Sequence, residues 1–219
     1  MPLKVEIWSG IACPWCYIGK RRFEAALAEF EHSDEVEVSW RSFELDPSAP
    51  REREGDRVEH LARKYGATRE QAQAMHEHMA GIGAGEGLDL RFDIARSGNT
   101  FDAHRLTHLA AAHGLQDAMK ERLFSAHLSE GQVIGDPAVL ERLALEVGLP
   151  ADEVHDVLAG ERYSSEVRED EQLAASLAIT AVPFFVVDRA IAASGAQPPE
   201  LLRELLDRAW AQRSALAAS

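Results

Sequence analysis

Both cysteines of the 219-residue sequence lie in one short stretch, Cys13-Pro14-Trp15-Cys16. Two thiols at this spacing can close a small disulfide. A cysteine at the start of a helix is also activated, because the helix dipole and the free N–H groups stabilise its thiolate. We predict that Cys13, at the helix entrance, is the nucleophile and that Cys16, one turn further in, resolves mixed disulfides by attacking Cys13. Pro14 and Trp15 are expected to contact the substrate and to tune the redox potential.

Two other uses of the cysteines are weaker hypotheses. A zinc site usually needs four ligands, and the sequence offers no second cysteine pair, only the histidine pair His104 and His108 one helical turn apart. Two inert buried thiols are the other alternative, but a Cys-x-x-Cys motif that opens a helix after a strand is typical of redox proteins. We therefore expect no metal and no bound cofactor, with the redox chemistry carried by the cysteines themselves.

The charge of the sequence excludes several classes of partner. It has 37 acidic and 23 basic side chains, a formal net charge of −14. Such a surface repels phosphate, so we expect no nucleic-acid partner and no anionic membrane. No apolar run approaches the roughly 18 residues that span a bilayer, and the N-terminus lacks the pattern of a secretory signal. We predict a cytoplasmic protein. Thiols in the cytoplasm are kept reduced, so a permanent structural disulfide is disfavoured.

The cysteine pair lies between a predicted strand and a predicted helix. The β-forming residues of Leu3–Trp8 predict the strand, and Pro14 suits the first turn of the helix. Alternating apolar and polar residues predict a second strand over Glu35–Phe43. Two further strands and a last helix are predicted near the end of the chain, at 184–187, 190–193 and 199–211.

The middle of the sequence has only helical patterns. After a break at 47–50, seven helices are predicted, at 56–65, 69–79, 101–113, 116–130, 137–147, 152–159 and 164–177. The glycines at 81, 83, 85 and 87 predict a flexible connection. The simplest architecture is an α/β domain formed by residues 1–48 and 179–219 and interrupted by an all-helical insertion, 49–178.

Four stretches resemble the DsbA family of thioredoxin-like proteins, and in particular its cytosolic FrnE-like branch. They are spread over nearly the whole sequence: Cys13-Pro14-Trp15-Cys16-Tyr17-Ile18-Gly19-Lys20, Asn99-Thr100-Phe101-Asp102-Ala103-His104-Arg105, Val182-Pro183-Phe184-Phe185 and Gly195-Ala196-Gln197. The resemblance implies a thioredoxin-like fold with a large all-helical insertion. It also implies a thiol–disulfide oxidoreductase or isomerase, whose partners are protein thiols, protein disulfides or glutathione.

The resemblance further implies roles for single residues. Val182–Pro183 is expected to be a cis peptide that faces the cysteines, with the Val182 backbone free to pair with an extended substrate. Glu6 is expected to move protons for the resolving cysteine, and His104 to face the substrate groove. A proline that simply starts a strand and a solvent-facing glutamate are the alternatives. Gly10 stands where many FrnE-like sequences carry an aspartate.

Two other functions compete with this hypothesis. Kappa-class glutathione transferases and 2-hydroxychromene-2-carboxylate isomerases have a similar architecture but typically use a serine at the position of Cys13, with no need for Cys16. The cysteine pair therefore favours redox chemistry over a glutathione-dependent transferase or isomerase. A partner-binding protein that uses the helical insertion as its surface is the third hypothesis, although core packing already explains amphipathic helices. The sequence does not predict the oligomeric state.

Overall fold

The two ends of the chain build one mixed β-sheet. The computed structural model describes residues 2–53 and 55–217; residues 1, 218 and 219 of the predicted α/β domain and residue 54 of the predicted insertion lie outside this range. The sheet has the order β2-β1-β3-β4, with β1 parallel to β2 and antiparallel to β3, and β3 antiparallel to β4. Its strands are β1 (Leu3–Ser9), β2 (Val36–Ser42), β3 (Phe184–Val187) and β4 (Ile191–Ser194).

Helices account for most of the remaining described residues. Two of them belong to the ends of the chain: α1 (Pro14–Ala28) follows β1, and α9 (Pro199–Ala217) follows β4. Between the second and third strands the chain forms α2 (Arg57–Tyr65), α3 (Arg69–Gly85), α4 (Phe101–Ala112), α5 (Gln116–Leu128), α6 (Pro137–Val147), α7 (Ala151–Ala159) and α8 (Ser164–Ser176). This is a thioredoxin-like fold with a helical insertion, as predicted. The boundaries at residues 48 and 179 stay a prediction.

Side-chain caps set the starts of three insertion helices. Asp56 accepts a backbone hydrogen bond at the start of α2, and Thr68 and Gln71 form a reciprocal capping box at the start of α3. Asp136 caps α6, where Pro137 occupies the first helical position. Because these patterns are local, the predicted starts lie within one residue of the observed ones.

The predicted flexible connection at the glycines is wrong for most of its length. Gly81, Gly83 and Gly85 all belong to α3, and only Gly87, with φ of +74°, follows the end of the helix. An added Cβ at Gly83 would lie 2.6 Å from the Leu90 side chain. Tertiary packing at Gly83 therefore keeps this part of α3 helical against the low helix propensity of glycine. The last helix, α9, also extends beyond the predicted end, to residue 217.

Two cores meet at the cysteine motif. The sheet core contains alternate residues of β1 (Leu3, Val5 and Ile7), packed with apolar residues of α1 and α9. The insertion has its own core, formed mainly by α4 to α7, to which Ile11 also belongs. The cysteines lie in a third cluster, whose buried members come from α1, α5 and the segment after α3: Cys13, Cys16, Tyr17, Ile18, Leu88, Leu90, Phe124 and Leu128. The motif is thus held between the sheet and the insertion.

Candidate active site

Cys13 is the N-cap residue of α1 and is 6% exposed. Its thiol lies 3.8 Å from the carbonyl oxygen of Val182, to which it can donate. A hydrogen bond from the Cys16 thiol lowers the pKa of Cys13 most; burial opposes this, and the backbone N–H groups of Cys16 and Trp15 lower the pKa further. The helix start therefore stabilises a thiolate at Cys13, which is the reactive form of a cysteine.

Cys16 lies one turn further along α1 and is fully buried. Burial raises the pKa of the Cys16 thiol well above its usual value, and the neighbouring Cys13 raises it further. Both cysteines are free thiols in the structure. The pair is therefore asymmetric, because Cys13 ionises first whereas Cys16 keeps its proton and is shielded from solvent.

Lys120, on α5, is a buried cation beside this pair. It is 1% exposed, and its ammonium group donates to the carbonyl oxygen of Ser9 at 3.0 Å. The same ammonium group lies 5.7 Å from the ring centre of Trp40 and 5.4 Å from that of Phe124. Burial lowers the pKa of Lys120 to about 8, although the two cysteines and Asp170 counteract this shift. Its positive charge lowers the pKa values of both cysteines.

Sequence reasoning missed Lys120, although the sequence contains a signal for it. Lys120 lies one residue after Met119, three before Leu123 and four before Phe124, and all three of these are fully buried. The spacing places the lysine on the apolar stripe of α5. A charged residue on such a stripe indicates a special environment, but only the fold shows that the cysteines provide it.

The loop before β3 closes over the first turns of α1. The Val182–Pro183 peptide bond is cis, and the Pro183 carbonyl oxygen accepts a hydrogen bond from the Gly195 N–H at 2.7 Å. Gly19 of α1 faces this loop, where an added Cβ would lie 2.7 Å from Pro183 Cγ. The missing side chain at Gly19 therefore lets the Pro183 loop approach the helix that carries the cysteines.

A cleft of about 1010 Å³ opens beside the cysteines. Its walls come from the cysteine motif, from α2 and α3, and from the loop before Pro183. Four of the residues predicted from the sequence lie together here, namely Cys13, Pro14, Trp15 and Val182. Trp15 is 37% exposed and supplies an apolar rim. The arrangement can present a thiolate to a substrate that lies in the cleft.

The structure corrects the expectation for Glu6. Side chains alternate along β1, and Val5 and Ile7 face the core shared with α1, so Glu6 lies on the opposite face of the sheet. Its carboxylate accepts hydrogen bonds at 3.0 Å from both Arg41 and Arg189. Burial raises the pKa of Glu6, but the hydrogen bonds from the two arginines outweigh it and hold that pKa below its usual value. Glu6 is thus a paired carboxylate, remote from the face that holds Cys16.

The expectation for His104 is corrected as well. His104 lies on α4 and is 1% exposed, so its side chain belongs to the protein interior and not to the cleft. Burial lowers its pKa well below the usual value, and the charge of Lys120 lowers it further. His104 is therefore a neutral interior side chain, because α4 is buried between the sheet and the other insertion helices.

Comparison with known proteins agrees with this geometry. Residues 4–207 match the model of the DSBA-like thioredoxin domain family. The chain belongs to this family. It is also 30% identical over 189 residues to YwbO of Bacillus subtilis (strain 168), an uncharacterized protein, and this match covers 85% of the present chain and 88% of YwbO.

Solved structures of similar shape include members of this oxidoreductase family. A probable DsbA oxidoreductase of Streptomyces coelicolor is 46% identical with a TM-score of 0.91, over 95% of this chain and 90% of that one. The cytosolic disulfide reductase DsbM of Pseudomonas aeruginosa is 19% identical with a TM-score of 0.65, over 99% and 100% of the two chains. A 2-hydroxychromene-2-carboxylate isomerase is 12% identical with a TM-score of 0.70, over 97% and 98%. The last two similarities show the fold alone.

Two further findings concern the described residues only. None of their helices combines the length and the apolar character needed to cross a bilayer. Nor do their His, Cys, Asp and Glu side chains form a group of three or more that could hold a metal ion.

Proposed function

We propose that this member of the DSBA-like family is a thiol–disulfide oxidoreductase that works through Cys13 and Cys16. The observation that carries the proposal is the asymmetry of the pair. The thiol with the lowered pKa lies at the cleft, and the thiol with the raised pKa lies behind it, fully buried. This is the order that disulfide exchange requires, because the attacking group must be a thiolate that a substrate can reach.

The exchange takes two steps. The Cys13 thiolate attacks one sulfur of a substrate disulfide, which releases the other sulfur as a thiolate and leaves a mixed disulfide with Cys13. Cys16 then gives up its proton and attacks Cys13 Sγ, so that the substrate leaves as a second thiolate and the Cys13–Cys16 disulfide forms. The substrate gains two electrons and the cysteine pair loses two. The reverse sequence oxidises a substrate dithiol, and the redox potential of the pair sets the direction.

The cis peptide loop is proposed to hold the substrate. The Val182 carbonyl oxygen lies 3.8 Å from the Cys13 thiol, and Pro183 has no N–H that could compete for the thiolate. An extended segment can pair with the Val182 backbone as an added strand, which would align its sulfur with Cys13. Pro14 and the exposed ring of Trp15 border the same position. The substrates proposed are protein disulfides, protein thiols or glutathione, in the cytoplasm.

A glutathione-dependent isomerase or transferase is the second candidate. The similarity in fold to a 2-hydroxychromene-2-carboxylate isomerase supports it. The structure of DsbM with GSH concerns a disulfide reductase and so supports glutathione as a ligand under either candidate. Fold alone does not decide function. Cys13 stands where such isomerases typically carry a serine, and their reaction has no need for Cys16, so the cysteine pair favours disulfide exchange.

Replacement of each cysteine tests the proposal. Cys13→Ser should abolish turnover of a disulfide substrate, because the attacking thiolate is gone. Cys16→Ser should instead accumulate mixed disulfides on Cys13, detectable by mass under non-reducing conditions, because the second step is blocked. Full disulfide reductase activity in Cys13→Ser would contradict the mechanism. A Cys16→Ser variant with unchanged multiple turnover would instead favour the glutathione-dependent candidate.

A further inference from the structure

A poorly compensated arginine lines the cleft beside Cys13. Arg57 is the first residue of α2; it donates to Ser97 Oγ at 3.2 Å and lies 5.6 Å from the ring centre of Phe92. Its Nε is buried without a hydrogen-bond partner among the described residues. Within the same part of the chain no carboxylate forms an ion pair with it, and burial alone lowers the pKa of Arg57, to about 10. The guanidinium therefore stays charged at neutral pH, and no carboxylate of the described residues is paired with it.

The groups around Arg57 do not neutralise it. His76 stacks on Phe92 with ring centres 4.6 Å apart, and His127 is fully buried. Burial lowers the pKa of both histidines, to about 3 for His127, and the positive charge of Arg57 lowers both further. Both are thus neutral near pH 7. The charge of Asp56 raises the pKa of His76, but Asp56 is itself paired with Arg69, so among the described residues Arg57 is the unpaired charge of this cluster. Arg57 is partly buried, and a partly desolvated charge without a partner is costly, so an arriving anion would remove part of that cost.

The charge of the cleft differs in sign from that of the whole chain. The chain has a net charge of −14. Among the described residues, the side chains that line the cleft nevertheless include four basic residues and one acidic residue, Asp46, which is already paired with Arg53. The same cleft contains Cys13 and the rim residue Trp15. A concentration of positive charge at this position favours an anionic substrate over a neutral one.

We propose that the cleft binds a short peptide thiol or disulfide that carries a carboxylate, and that Arg57 receives this carboxylate while Cys13 attacks the sulfur. The inference rests on the proposed function. A guanidinium can hold a carboxylate through two parallel hydrogen bonds, and Arg57 lines the cleft with no carboxylate of the described residues paired to it. The volume of about 1010 Å³ is that of a site for a small molecule or a short peptide. Arg57 thereby selects the substrate, and the cysteines carry out the exchange.

Two disulfides that share the same sulfur chemistry test this inference. Reduced protein is mixed with glutathione disulfide or with its tetraethyl ester, in which all the carboxylates are neutralised, and the second-order rate of oxidation is followed by tryptophan fluorescence. Wild-type protein should react roughly tenfold faster with the acid than with the ester, after each rate is divided by the rate with free dithiothreitol. This comparison needs no variant and so does not depend on whether a substituted protein folds.

Three substitutions at two positions then locate the effect. Arg57→Gln should reduce the acid-to-ester rate ratio to near one, and Arg57→Lys should restore part of it because the charge returns without the two-bond geometry. Arg91→Gln removes an exposed arginine that pairs with Asp93 and does not line the cleft, so it should keep the wild-type ratio.

The outcomes separate this inference from the proposed function. Equal normalised rates for acid and ester in wild-type protein, or an unchanged ratio in Arg57→Gln, would overturn the inference while leaving disulfide exchange intact. An equal loss in Arg91→Gln would also overturn it, because the effect would then be one of overall charge. If neither disulfide oxidised the cysteines of the wild-type protein, the proposed function would fail and this inference with it.

Discussion

Lys20 and Lys120 are both almost fully buried, but their ammonium groups have different surroundings. Lys120 faces a carbonyl oxygen and two aromatic rings beside the cysteines, with no carboxylate in ion-pair contact among the described residues. Lys20 lies within ion-pair distance of three partly exposed carboxylates: Glu24, Asp117 and Glu121. Burial lowers the pKa of Lys20 too, but these carboxylates outweigh it and raise that pKa above its usual value. The two lysines can therefore be compared directly: Lys120 is a buried charge beside the thiols, and Lys20 is a buried charge neutralised by carboxylates.

Replacement of Lys120 should have opposite effects on chemistry and on stability. Lys120→Met should raise the pKa of Cys13, since a positive charge that favours the thiolate is lost. It should also raise the free energy of unfolding near pH 7 by about 1–3 kcal/mol, because a buried unpaired ion is replaced by an apolar side chain. Thiolate absorbance against pH measures the first effect, and urea unfolding measures the second.

The sign of the pH dependence follows from the lowered pKa of Lys120. Between about pH 8 and the usual lysine pKa of about 10.4, the unfolded chain binds the proton and the folded chain does not. Lys120 should therefore make the free energy of unfolding of the wild-type protein rise as the pH rises through this window. The oxidised protein is the form to measure, because its cysteines do not titrate. Without the thiolates, which raise the pKa of Lys120, the window begins at a lower pH in that form.

Lys20→Met is the control for this pair. It should lower the free energy of unfolding, because its carboxylate partners lose their cation, and it should leave the pKa of Cys13 unchanged. If both lysine variants moved the pKa of Cys13 equally, Lys120 would have no special relation to the cysteines.

At the scale of single residues, the sequence predicted the cysteine pair but not its supporting groups. Cys13 and Cys16 form a local motif whose spacing and helix start can be recognised without the fold. Glu6 was misplaced because its role depends on which face of β1 it occupies, and a shift of one residue exchanges the faces. Lys120 and Arg57 act on the site from the insertion, so only tertiary structure brings them to it.

Among the secondary-structure elements, the contact between α1 and the Pro183 loop is the one that sets the geometry of the site. Gly19 faces Pro183 with no room for a Cβ, as the distance of 2.7 Å to Pro183 Cγ shows. A methyl group there must push the loop away from α1. The Val182 carbonyl oxygen would move with the loop, and with it the proposed anchor for the substrate beside Cys13.

Gly19→Ala should therefore reduce both stability and exchange rate. We expect a loss of about 1–3 kcal/mol in the free energy of unfolding, as is usual for overpacking, and a fall in the rate with disulfide substrates. Gly81→Ala is the matched control, because Gly81 is also inside a helix but has no atom within 4 Å of an added Cβ. It should stabilise the protein by up to about 1 kcal/mol. A Gly19→Ala variant as stable and active as wild type would show that the loop needs no close approach.

The contrast between local patterns and long-range packing explains which elements could be predicted well from the sequence. Helices with caps, such as α6 from Pro137 to Val147, were predicted to the residue because their start and stop patterns are local. The end of α3 was missed because its glycines suggest a break, whereas packing of Gly83 on Leu90 keeps the helix intact. Long-range contacts override propensity most easily at such positions.

Over the whole molecule, a buried polar junction joins the sheet to the helical insertion. Asp170 of α8 is 2% exposed and accepts hydrogen bonds from the Ser42 N–H at 2.8 Å and from Arg41 at 2.9 Å, both of β2. His108 of α4 lies 3.2 Å from the same carboxylate. The indole N–H of Trp8 donates to the Asp170 carbonyl oxygen at 3.0 Å. One residue thus connects β1, β2, α4 and α8.

Loss of this junction should weaken the whole fold. Asp170→Ala leaves several buried donors without an acceptor and should lower the free energy of unfolding by about 3 kcal/mol. Asp207→Ala removes an exposed carboxylate that pairs with Arg203 on α9. This substitution should change the free energy of unfolding by less than about 0.5 kcal/mol. Urea unfolding followed by circular dichroism measures both. Equal stability of the two variants would show that Asp170 does not hold the two parts together.

No part of this junction could be predicted from the sequence. Its members, at positions 8, 41, 42, 108 and 170, come from four elements that are far apart in the chain, and each taken alone is an ordinary polar or aromatic residue. The order of elements, by contrast, predicted the architecture correctly, because a strand-helix-strand start, a long helical middle and a strand-strand-helix end allow few arrangements.

Equilibration in graded glutathione redox buffers shows whether Cys13 and Cys16 form a reversible redox pair. Thiols are quenched with acid and counted by mass, and tryptophan fluorescence follows the change near Trp15. We expect one reversible transition, in which the protein loses two hydrogens as the disulfide between Cys13 and Cys16 forms. A protein that binds glutathione but never forms this disulfide would contradict the account and support the transferase or isomerase function instead.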